Sequence, residues 1–511
     1  MVNSQGRDPG SPGAPTSRAP TLDVPPPTGL SSMSPATGAV VLRFFADHRS
    51  SGGVLTRREW LRIGGLAGLG LLTGPGAAAA ARPFPGFGKA KSVLVVFTSG
   101  GQSQIDTWDP KPDAPEEIRG AFRPIAASVP GLQICEHLPR VARLAHLYAV
   151  VRSVCHDDLD HGTACYLALT GRFHSLKSAN PPPRPDDYPT YGAVVRRLRP
   201  AGPLPYAAVH VNGPILAPLL PAPGQFAGQL GASFEPLLLG DVTTGDAGIA
   251  GLDPTPDLPP MRLDERKSLL EALEDQDRRP APAGAAMKTL YGEAYRLLSA
   301  PGFRRAFRLD QEPEAVRDAY GRHRSGQACL LGRRLVEAGV PYVAVLWNHC
   351  IRGQDRAPDD DDAYGWDTHN DIFASLKDRL LPRFDRSFAA LLTDLQERGL
   401  LDTTLVVCMG EFGRAPRVAR EKNFVGDAPG RKHWAAVYSI VMAGAGVTGG
   451  GVFGASDRIG GYPAVNPVGP WDVAATLFAA LGVDPAAAVA DPAGRTFPVS
   501  IGEPIGRLWT G

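Results

Sequence analysis

Six short apolar runs constrain the fold of this chain more than any other feature. They cover residues 93–97, 147–151, 207–211, 342–346, 405–409 and 437–442. Each run is bounded by turn residues or charges, and the stretches between them have helical spacing. Apolar runs of this length predict strands buried on both faces, which is typical of parallel sheets with helical connections. The sequence therefore predicts an α/β protein with a mostly parallel central sheet and helices on both faces.

The clearest helical pattern covers residues 373–398, where apolar side chains recur three and four residues apart and form one stripe. Pro382 has no N–H to donate, so it has to kink this helix or begin a new one. Gly399 follows as the expected C-terminal stop. Residues 253–339, approximately, also have mostly helical spacing, which predicts a helical insertion on the same sheet.

The N-terminal part of the chain has the composition of an extension followed by an export signal. Proline, glycine, serine and threonine dominate its start, so we expect residues 1–55 to be a disordered extension. Residues 56–82 combine paired arginines, an apolar run at 63–72 and small residues at 77–81, which are the three parts of a signal peptide. The apolar run is shorter than the about 20 residues that span a bilayer.

The arginine pair, Arg57 and Arg58, resembles a twin-arginine (Tat) signal, which is an address read by a receptor. The resemblance implies the Tat export machinery as a partner and a periplasmic, cell-surface or secreted location. We expect no transmembrane segment in the mature chain.

Charge and cysteine content narrow the function classes. The net charge of +1, from 53 basic and 52 acidic residues, lacks the basic excess typical of nucleic-acid-binding proteins, so we expect no nucleic-acid partner. The six cysteines form no CxxC pair and are too sparse for a disulfide scaffold. Buried thiols are therefore expected, with one or two disulfides as the alternative.

Residues that can bind metals stand at the ends of several predicted strands, where open α/β sheets bind their ligands. They are Asp106 after the first strand, His156 and His161 after the second, Asp367 and His369 in the stretch WDTHND, and Glu411, Arg414 and His433 between the last two. Histidine and carboxylate side chains together suit a divalent metal ion. Simple turns and a solvated acidic loop with a histidine cap are the alternative interpretations of the first two loops.

The stretch WDTHND can supply two ligands to one metal ion only with a particular backbone shape. Asp367 and His369 are two residues apart, so both can face one ion only if the backbone turns there. Asp371 is a candidate N-cap for the helix that follows. The acidic run 359–362 just before it is expected to be a solvated loop.

The order of the motifs resembles an exported bacterial family. The Tat signal, GGQSQIDTWDPKP, DTHND, GEFGRAP, KHW and GASDRIGGYP together are similar to the family called domain of unknown function 1501. Residues 384–413 and 468–483 also resemble segments of the alkaline phosphatase and sulfatase superfamily. The resemblance spans residues 56–508 and implies one alkaline-phosphatase-like domain over residues 90–511.

The resemblance also assigns ligands. Glu411 falls on a metal-binding aspartate of the superfamily and His433 on its later metal-binding histidine. Asp367 and His369 fall near its aspartate and histidine ligands, at a different spacing. Phe412, however, replaces a metal-binding histidine.

Further departures lie at the nucleophile. When residues 170–172 are aligned with the sulfatase Thr-Gly-Arg, His161 occupies the nucleophile position and Cys165 replaces an arginine. Ser99 and Gly100 stand where the superfamily has an acidic pair. The resemblance thus predicts a site rebuilt around a differently held metal.

Two functions follow from these observations. The first is a metal-dependent hydrolase of phosphate or sulfate esters, with zinc, calcium or manganese held by Asp367, His369, Glu411 and His433. Asp106 would support this site or complete a second one. The second is a non-catalytic exported module that keeps the fold and binds sulfated or phosphorylated small molecules or polysaccharides.

His161 has three possible roles in the hydrolase: metal ligand, nucleophile or general base. We favour the ligand, because His156 and Asp160 beside it suit an ion better than an activated nucleophile. Thr163 is the spare hydroxyl nucleophile, and Arg414 would hold the substrate anion.

Overall fold

The computed structural model describes residues 84–199, 204–243, 260–276, 291–292, 294–298, 300–352, 354 and 359–510. The predicted N-terminal extension (1–55) and Tat signal (56–82) lie outside the described residues. Among the residues described, no helix combines the length and the apolar character needed to cross a membrane.

The helices and strands alternate along the chain. The α-helices include α1 (Glu116–Arg119), α2 (Pro139–Arg143), α3 (His161–Thr170), α4 (Tyr191–Leu198), α5 (Pro260–Gln276), α6 (Pro301–Ala306), α7 (Glu314–Tyr320), α8 (Arg324–Glu337), α9 (Ile372–Ala374), α10 (Leu381–Glu397) and α11 (Pro470–Ala480). The strands include β1 (Ser92–Phe97), β2 (Pro124–Ala126), β3 (Gln133–Cys135), β4 (Tyr148–Val154), β5 (Ala208–Val211), β6 (Leu237–Leu238), β7 (Tyr342–Leu346), β8 (Thr404–Met409), β9 (Gly413–Arg414), β10 (His433–Trp434), β11 (Tyr438–Ala443), β12 (Val452–Phe453), β13 (Ala455–Ser456), β14 (Pro463–Val465), β15 (Ala488–Ala490) and β16 (Thr496–Pro498).

Eight of these strands form the central sheet, in the order β12-β4-β11-β8-β1-β7-β5-β6. The pairs around β1, β7 and β5 are all parallel. The six apolar runs fall on six of the eight strands, and the predicted mostly parallel α/β fold is confirmed.

The direction of the last predicted strand is the exception. We expected residues 437–442 to run parallel, but β11 is antiparallel to both of its neighbours, β4 and β8. A parallel connection needs a long crossover, usually helical. Here the chain instead makes a short antiparallel ribbon of β9 and β10 after β8, so it enters β11 from the edge at which β8 ends.

Helices cover both faces of the sheet, as predicted. Alternate residues of β1 point to opposite sides, with Leu94 and Val96 in one core cluster and Val93, Val95 and Phe97 in the other. Helices α8 and α10 pack in the first cluster, and α4 and α11 pack in the second. Helix α8 belongs to the helical stretch predicted at about 253–339, and it forms a core layer of the sheet.

The segment predicted as the clearest helix is divided. Helix α9 continues into a π-helical stretch, Ser375–Leu380, and α10 begins at Leu381 with Pro382 in its first turn. Gly399 follows α10 in the left-handed region, with φ of 66°. The backbone stays helical from Ile372 to Glu397, and the π-helical stretch comes directly before the turn that contains Pro382, so the proline does not start a separate helix. All six cysteines are free thiols, and five of them are buried.

Candidate metal centre

The candidate residues meet at the carboxyl edge of the sheet. His161 begins α3 after β4, and Glu411 follows β8. Asp367 and His369 lie in the connection that follows β7. His433 stands in β10, just before β11. Because β11 is antiparallel, its beginning lies at the edge where the parallel strands end.

A close approach of two loops places Asp367 at this edge. Gly100 follows β1 with φ of 112°, and a Cβ atom there would lie 2.5 Å from the backbone nitrogen of Asp367. Only glycine leaves room for that contact. The double glycine of the first loop therefore serves a close approach of the loop that carries Asp367.

One carboxylate oxygen stands at the centre of the cluster. Oδ1 of Asp367 lies 3.2 Å from Nε2 of His161, 2.9 Å from Nε2 of His369 and 3.1 Å from Nε2 of His433. The Nε2 atoms of His369 and His433 are 2.9 Å apart. Two metal bonds of about 2.0–2.1 Å place neighbouring ligand nitrogens at roughly this separation. The ligand atoms of His161, Asp367 and His433 all lie within 4.8 Å of one another, as the donors of one ion must.

The outer nitrogen of each imidazole faces a hydrogen-bond acceptor. Nδ1 of His161 lies 2.6 Å from the Glu411 carboxylate, and Nδ1 of His369 lies 2.7 Å from the Glu421 carboxylate. Nδ1 of His433 lies 2.7 Å from the carbonyl oxygen of Leu159. Nδ1 of His433 faces a carbonyl oxygen and has to donate to it. In the neutral rings of His161 and His369, a proton on Nδ1 satisfies the outer carboxylate and turns the Nε2 lone pair towards Asp367. Metal-binding histidines are oriented by this kind of partner.

Three lone pairs and a carboxylate oxygen repel one another unless positive charge lies between them. Burial lowers the pKa of His161, but the carboxylates of Asp367 and Glu411 outweigh burial and raise it to about 9. Burial and the charge of His161 lower the pKa of His433 to about 4. Protonation of His161 therefore relieves the repulsion between its ring and Asp367. The Nε2 lone pair of His433 still faces the Asp367 carboxylate. A divalent cation would compensate all of these donors at once.

Within the described part of the chain, two buried polar atoms at the cluster make no hydrogen bond of good geometry. They are Nε2 of His161 and Oε2 of Glu411. The other Glu411 oxygen accepts the N–H of Gly100 at 2.7 Å in addition to the His161 contact. Buried polar groups are nearly always paired. Nε2 of His161, together with the donors of Asp367 and His433, fits a bound metal ion.

Arg414 does not have the environment expected for an anion-binding residue. Its guanidinium is fully buried and donates to the carbonyl groups of Gly100, Gly101 and Trp366 and, at 2.7 Å, to Asp367. These contacts hold the first loop and the WDTHND loop together. Arg414 is thus placed to support the cluster, not to bind the anion as predicted.

Three other candidates lie outside the cluster. Nε2 of His156 contacts the backbone oxygen of Glu411 at 2.7 Å and its Nδ1 accepts the N–H of Asp158, so neither nitrogen is available to a metal. The Thr163 hydroxyl donates to the Asp158 carboxylate at 2.8 Å instead of facing the cluster as a nucleophile.

Asp106 also departs from its expected role. Its carboxylate is fully buried, and both oxygens accept from the guanidinium of Arg431, at 2.7 and 3.1 Å. It accepts the Ser103 hydroxyl as well. Asp106 therefore belongs to a separate structural ion pair and completes no second metal site.

The sequence reasoning missed the residues that orient the histidines. Glu421 lies in a charged stretch that gave no signal, and Leu159 contributes only its backbone. Asn370 was passed over because an asparagine beside a histidine has no distinctive pattern. Phe424, whose ring stacks on His369 with centroids 3.6 Å apart, was likewise unmarked.

A cleft gives access to one side of the cluster. It has a volume of 360 Å³ and is lined by Asp367 and His369 together with Arg352, Tyr364 and Phe424. The Arg352 guanidinium lies 4.4 Å from the centre of the Phe424 ring. The cleft therefore combines the inner donors with a cationic and aromatic wall.

Fold and site together define an α/β protein with a histidine–carboxylate cluster at the carboxyl edge of a mostly parallel sheet. The family described as "Protein of unknown function (DUF1501)" matches residues 90–508. The chain belongs to that family. No curated protein matches the sequence.

Several solved structures resemble the chain at low sequence identity. Ps i-CgsB has a TM-score of 0.39 and 12% identity, and the match covers 82% of this chain and 76% of that one. The phosphonate monoester hydrolase from Silicibacter pomeroyi has a TM-score of 0.35 and 14% identity, with coverage of 82% and 76%. A sulfatase from Pseudoalteromonas sp. has a TM-score of 0.34 and 13% identity, with coverage of 84% and 72%. The family assignment rests on the sequence match.

Proposed function

We propose that this chain is an exported, metal-dependent hydrolase of phosphate or sulfate esters. The observation that carries the proposal is the convergence of three imidazole Nε2 atoms on one oxygen of Asp367, with every Nδ1 held by an acceptor. A divalent ion bound among these atoms would take up the Nε2 lone pairs and balance the negative charge of Asp367, which supports a metal centre.

The proposed ligands are His161, Asp367, His369 and His433. Three imidazoles and one carboxylate suit zinc best among the ions considered, whereas manganese and especially calcium favour oxygen ligands, so we propose zinc first. Glu411 was expected as a ligand, and we now assign it to the orientation of His161. Of the three roles considered for His161, the proposal keeps that of ligand.

A bound divalent ion would polarise an ester oxygen and lower the pKa of a water molecule to about 7. Among the residues that the structure describes, the two side chains near the cluster that could act as nucleophiles are both held back. The Thr163 hydroxyl is held by Asp158, and burial raises the pKa of the Cys165 thiol well above its usual value. We therefore propose water as the nucleophile, with the ester lying in the cleft against the wall of Phe424 and Arg352.

The same lack of a side-chain nucleophile supports a second candidate, a non-catalytic module that binds phosphorylated or sulfated ligands through the metal. Fold alone does not decide between them. Both candidates need the ion, and they differ in turnover. Metal content and hydrolysis must therefore be measured separately.

The deciding experiment compares wild-type protein from the exported fraction with His161→Ala and His174→Ala. His174 is also a buried histidine beside a carboxylate, Asp187 at 3.5 Å, but it lies outside the cluster. We expect about one ion per chain in wild type and His174→Ala and a clear loss in His161→Ala. Metal-free wild-type protein that stays folded would contradict both candidates. Turnover of aryl phosphate or sulfate esters by the metal-loaded protein separates the hydrolase from the binding module.

A further inference from the structure

Asn370, the residue after His369, is buried and clamps one loop. Its Nδ2 donates to the backbone oxygens of Glu421 and Phe424, both at 2.9 Å, and its Oδ1 accepts the N–H of Glu421 at 2.9 Å. Only 6% of the residue is exposed. One side chain thus makes three hydrogen bonds to the segment 421–424.

The next residue holds the far end of the same loop. Asp371 has φ of 51°, in the left-handed region that favours glycine and that aspartate and asparagine adopt more readily than other residues. Its carboxylate accepts the N–H of Ala428 at 2.7 Å, and its own N–H donates to the Ala428 carbonyl at 2.9 Å. Asp371 occupies the predicted N-cap position but makes no cap bond to the helix. Its side chain serves the loop 421–428 instead.

The loop 421–428 brings two groups to His369. Glu421 places its carboxylate 2.7 Å from Nδ1, and Phe424 stacks on the ring at an interplanar angle of 11°. The first contact gives Nδ1 an acceptor for a proton, and the second holds the plane of the ring. The loop therefore holds Nδ1 and one face of the His369 ring, while Asp367 faces Nε2.

We propose that Asn370 is a positioning residue that acts through the loop 421–428 to fix the tautomer and ring plane of His369. The proposal rests on the proposed function, because the fixed Nε2 is one donor of the metal centre. It assigns a role to each member of the segment: Asp367 and His369 supply donors, and Asn370 and Asp371 hold the loop that orients the histidine. Lys432 also contacts Glu421, at 3.0 Å, so we expect loss of the clamp to loosen this acceptor and not to remove it.

Zinc affinity tests the proposal through a double-mutant cycle of Asn370→Ala, His369→Ala and both together, titrated against a chromophoric chelator. Loss of an outer partner of a metal ligand typically lowers affinity by about 10–100-fold, which we expect for Asn370→Ala. In the His369→Ala background the same change should have no further effect. An equal loss in both backgrounds, or no loss in wild type, would overturn the proposal.

Gln225 provides a matched control. It is 2% exposed and clamps another loop with three hydrogen bonds, two to Ile215 and one to Ala222. Gln225→Ala should destabilise the fold but leave zinc affinity unchanged. If Asn370→Ala does not fold, Glu421→Gln leaves the clamp intact while weakening the acceptor, and it should lower zinc affinity in the same His369-dependent way. Unchanged affinity in Glu421→Gln would count against the proposal.

A metal-independent measurement separates this inference from the proposed function. Long-range ¹H–¹⁵N spectra of the imidazole side chains report which nitrogen of His369 carries the proton in metal-free protein. We expect a single Nδ1–H form in wild type and a mixture in Asn370→Ala, with His174 unchanged. A wild-type protein that binds no zinc would defeat the proposed function yet leave this test in force. A His369 spectrum identical in both proteins would defeat the positioning role.

Discussion

Oε1 of Glu411 lies 2.6 Å from Nδ1 of His161, across 250 residues of sequence, and the carboxylate is fully buried. Substitution of Glu411 by glutamine keeps the shape but weakens this acceptor. We expect a metal affinity about 10–100-fold lower than in wild type, measured by competition with a chelating dye. Glu397→Gln, at an exposed position on α10, is the matched control. Equal affinity in all three proteins would show that Glu411 does not act on the ligand.

Metal removal should lower the thermal midpoint. An ion that binds only the folded state stabilises it by about 2.7 kcal/mol at a free concentration 100 times the dissociation constant. Differential scanning calorimetry with zinc and then with excess chelator should therefore show a shift that reverses on re-addition. His161→Ala should show no such shift, and a midpoint insensitive to chelator in wild type would contradict the metal centre.

Arg414 should be a stability residue. It is fully buried and joins the Gly100 loop to Asp367. Arg414→Met would leave Asp367 without its paired charge, and breaking a buried pair costs roughly 3–5 kcal/mol. We expect urea unfolding to report a loss of this size. Arg420→Met removes an exposed partner of Asp427 and should change stability by less than about 0.5 kcal/mol.

Stability should fall in mild acid because of His210 in β5. Burial lowers the pKa of His210 to about 4, and among the described residues its Nε2 finds no hydrogen-bond partner. At pH values between the unfolded-state pKa of about 6.5 and the folded-state pKa of His210, the imidazole is protonated in the unfolded chain but neutral in the folded protein. The neutral His210 side chain therefore contributes fully to the free energy of unfolding above pH 6.5. This contribution is lost as the pH falls towards 4, by up to about 1.4 kcal/mol per pH unit.

Urea unfolding at pH 7 and pH 5 measures this effect. His210→Gln should reduce the difference between the two pH values, because the titrating group is gone. The same substitution at exposed His146 serves as the control. An undiminished pH dependence in His210→Gln would contradict the assignment.

The sheet could be predicted because its strands are apolar on both faces. The runs at 93–97 and 342–346 needed only local composition to be recognised, and they pair with each other in the structure. The direction of β11 could not be read in the same way. It depends on the ribbon of β9 and β10, whose four residues carry no strand pattern.

The side chains that could bind a metal could be predicted from the sequence, but the groups that hydrogen-bond to the candidate residues could not. His161, Asp367 and His433 stand at strand ends, and the sheet brings them together. The role of Asp106 instead depends on Arg431, 325 residues away, and that of His156 depends on a backbone oxygen after β8. Such contacts are set by which loops happen to meet, so residue type alone gave the wrong assignment.

The reversed strand β11 has a consequence for how such a site can change. At the carboxyl edge of a purely parallel sheet, the strands contribute residues only from their C-terminal ends. An antiparallel strand begins at that same edge, so residues just before its N-terminal end, such as His433 before Tyr438, also lie there. The centre thereby draws on two kinds of chain position, and a donor lost from one can be replaced from the other without any change in the order of the sheet.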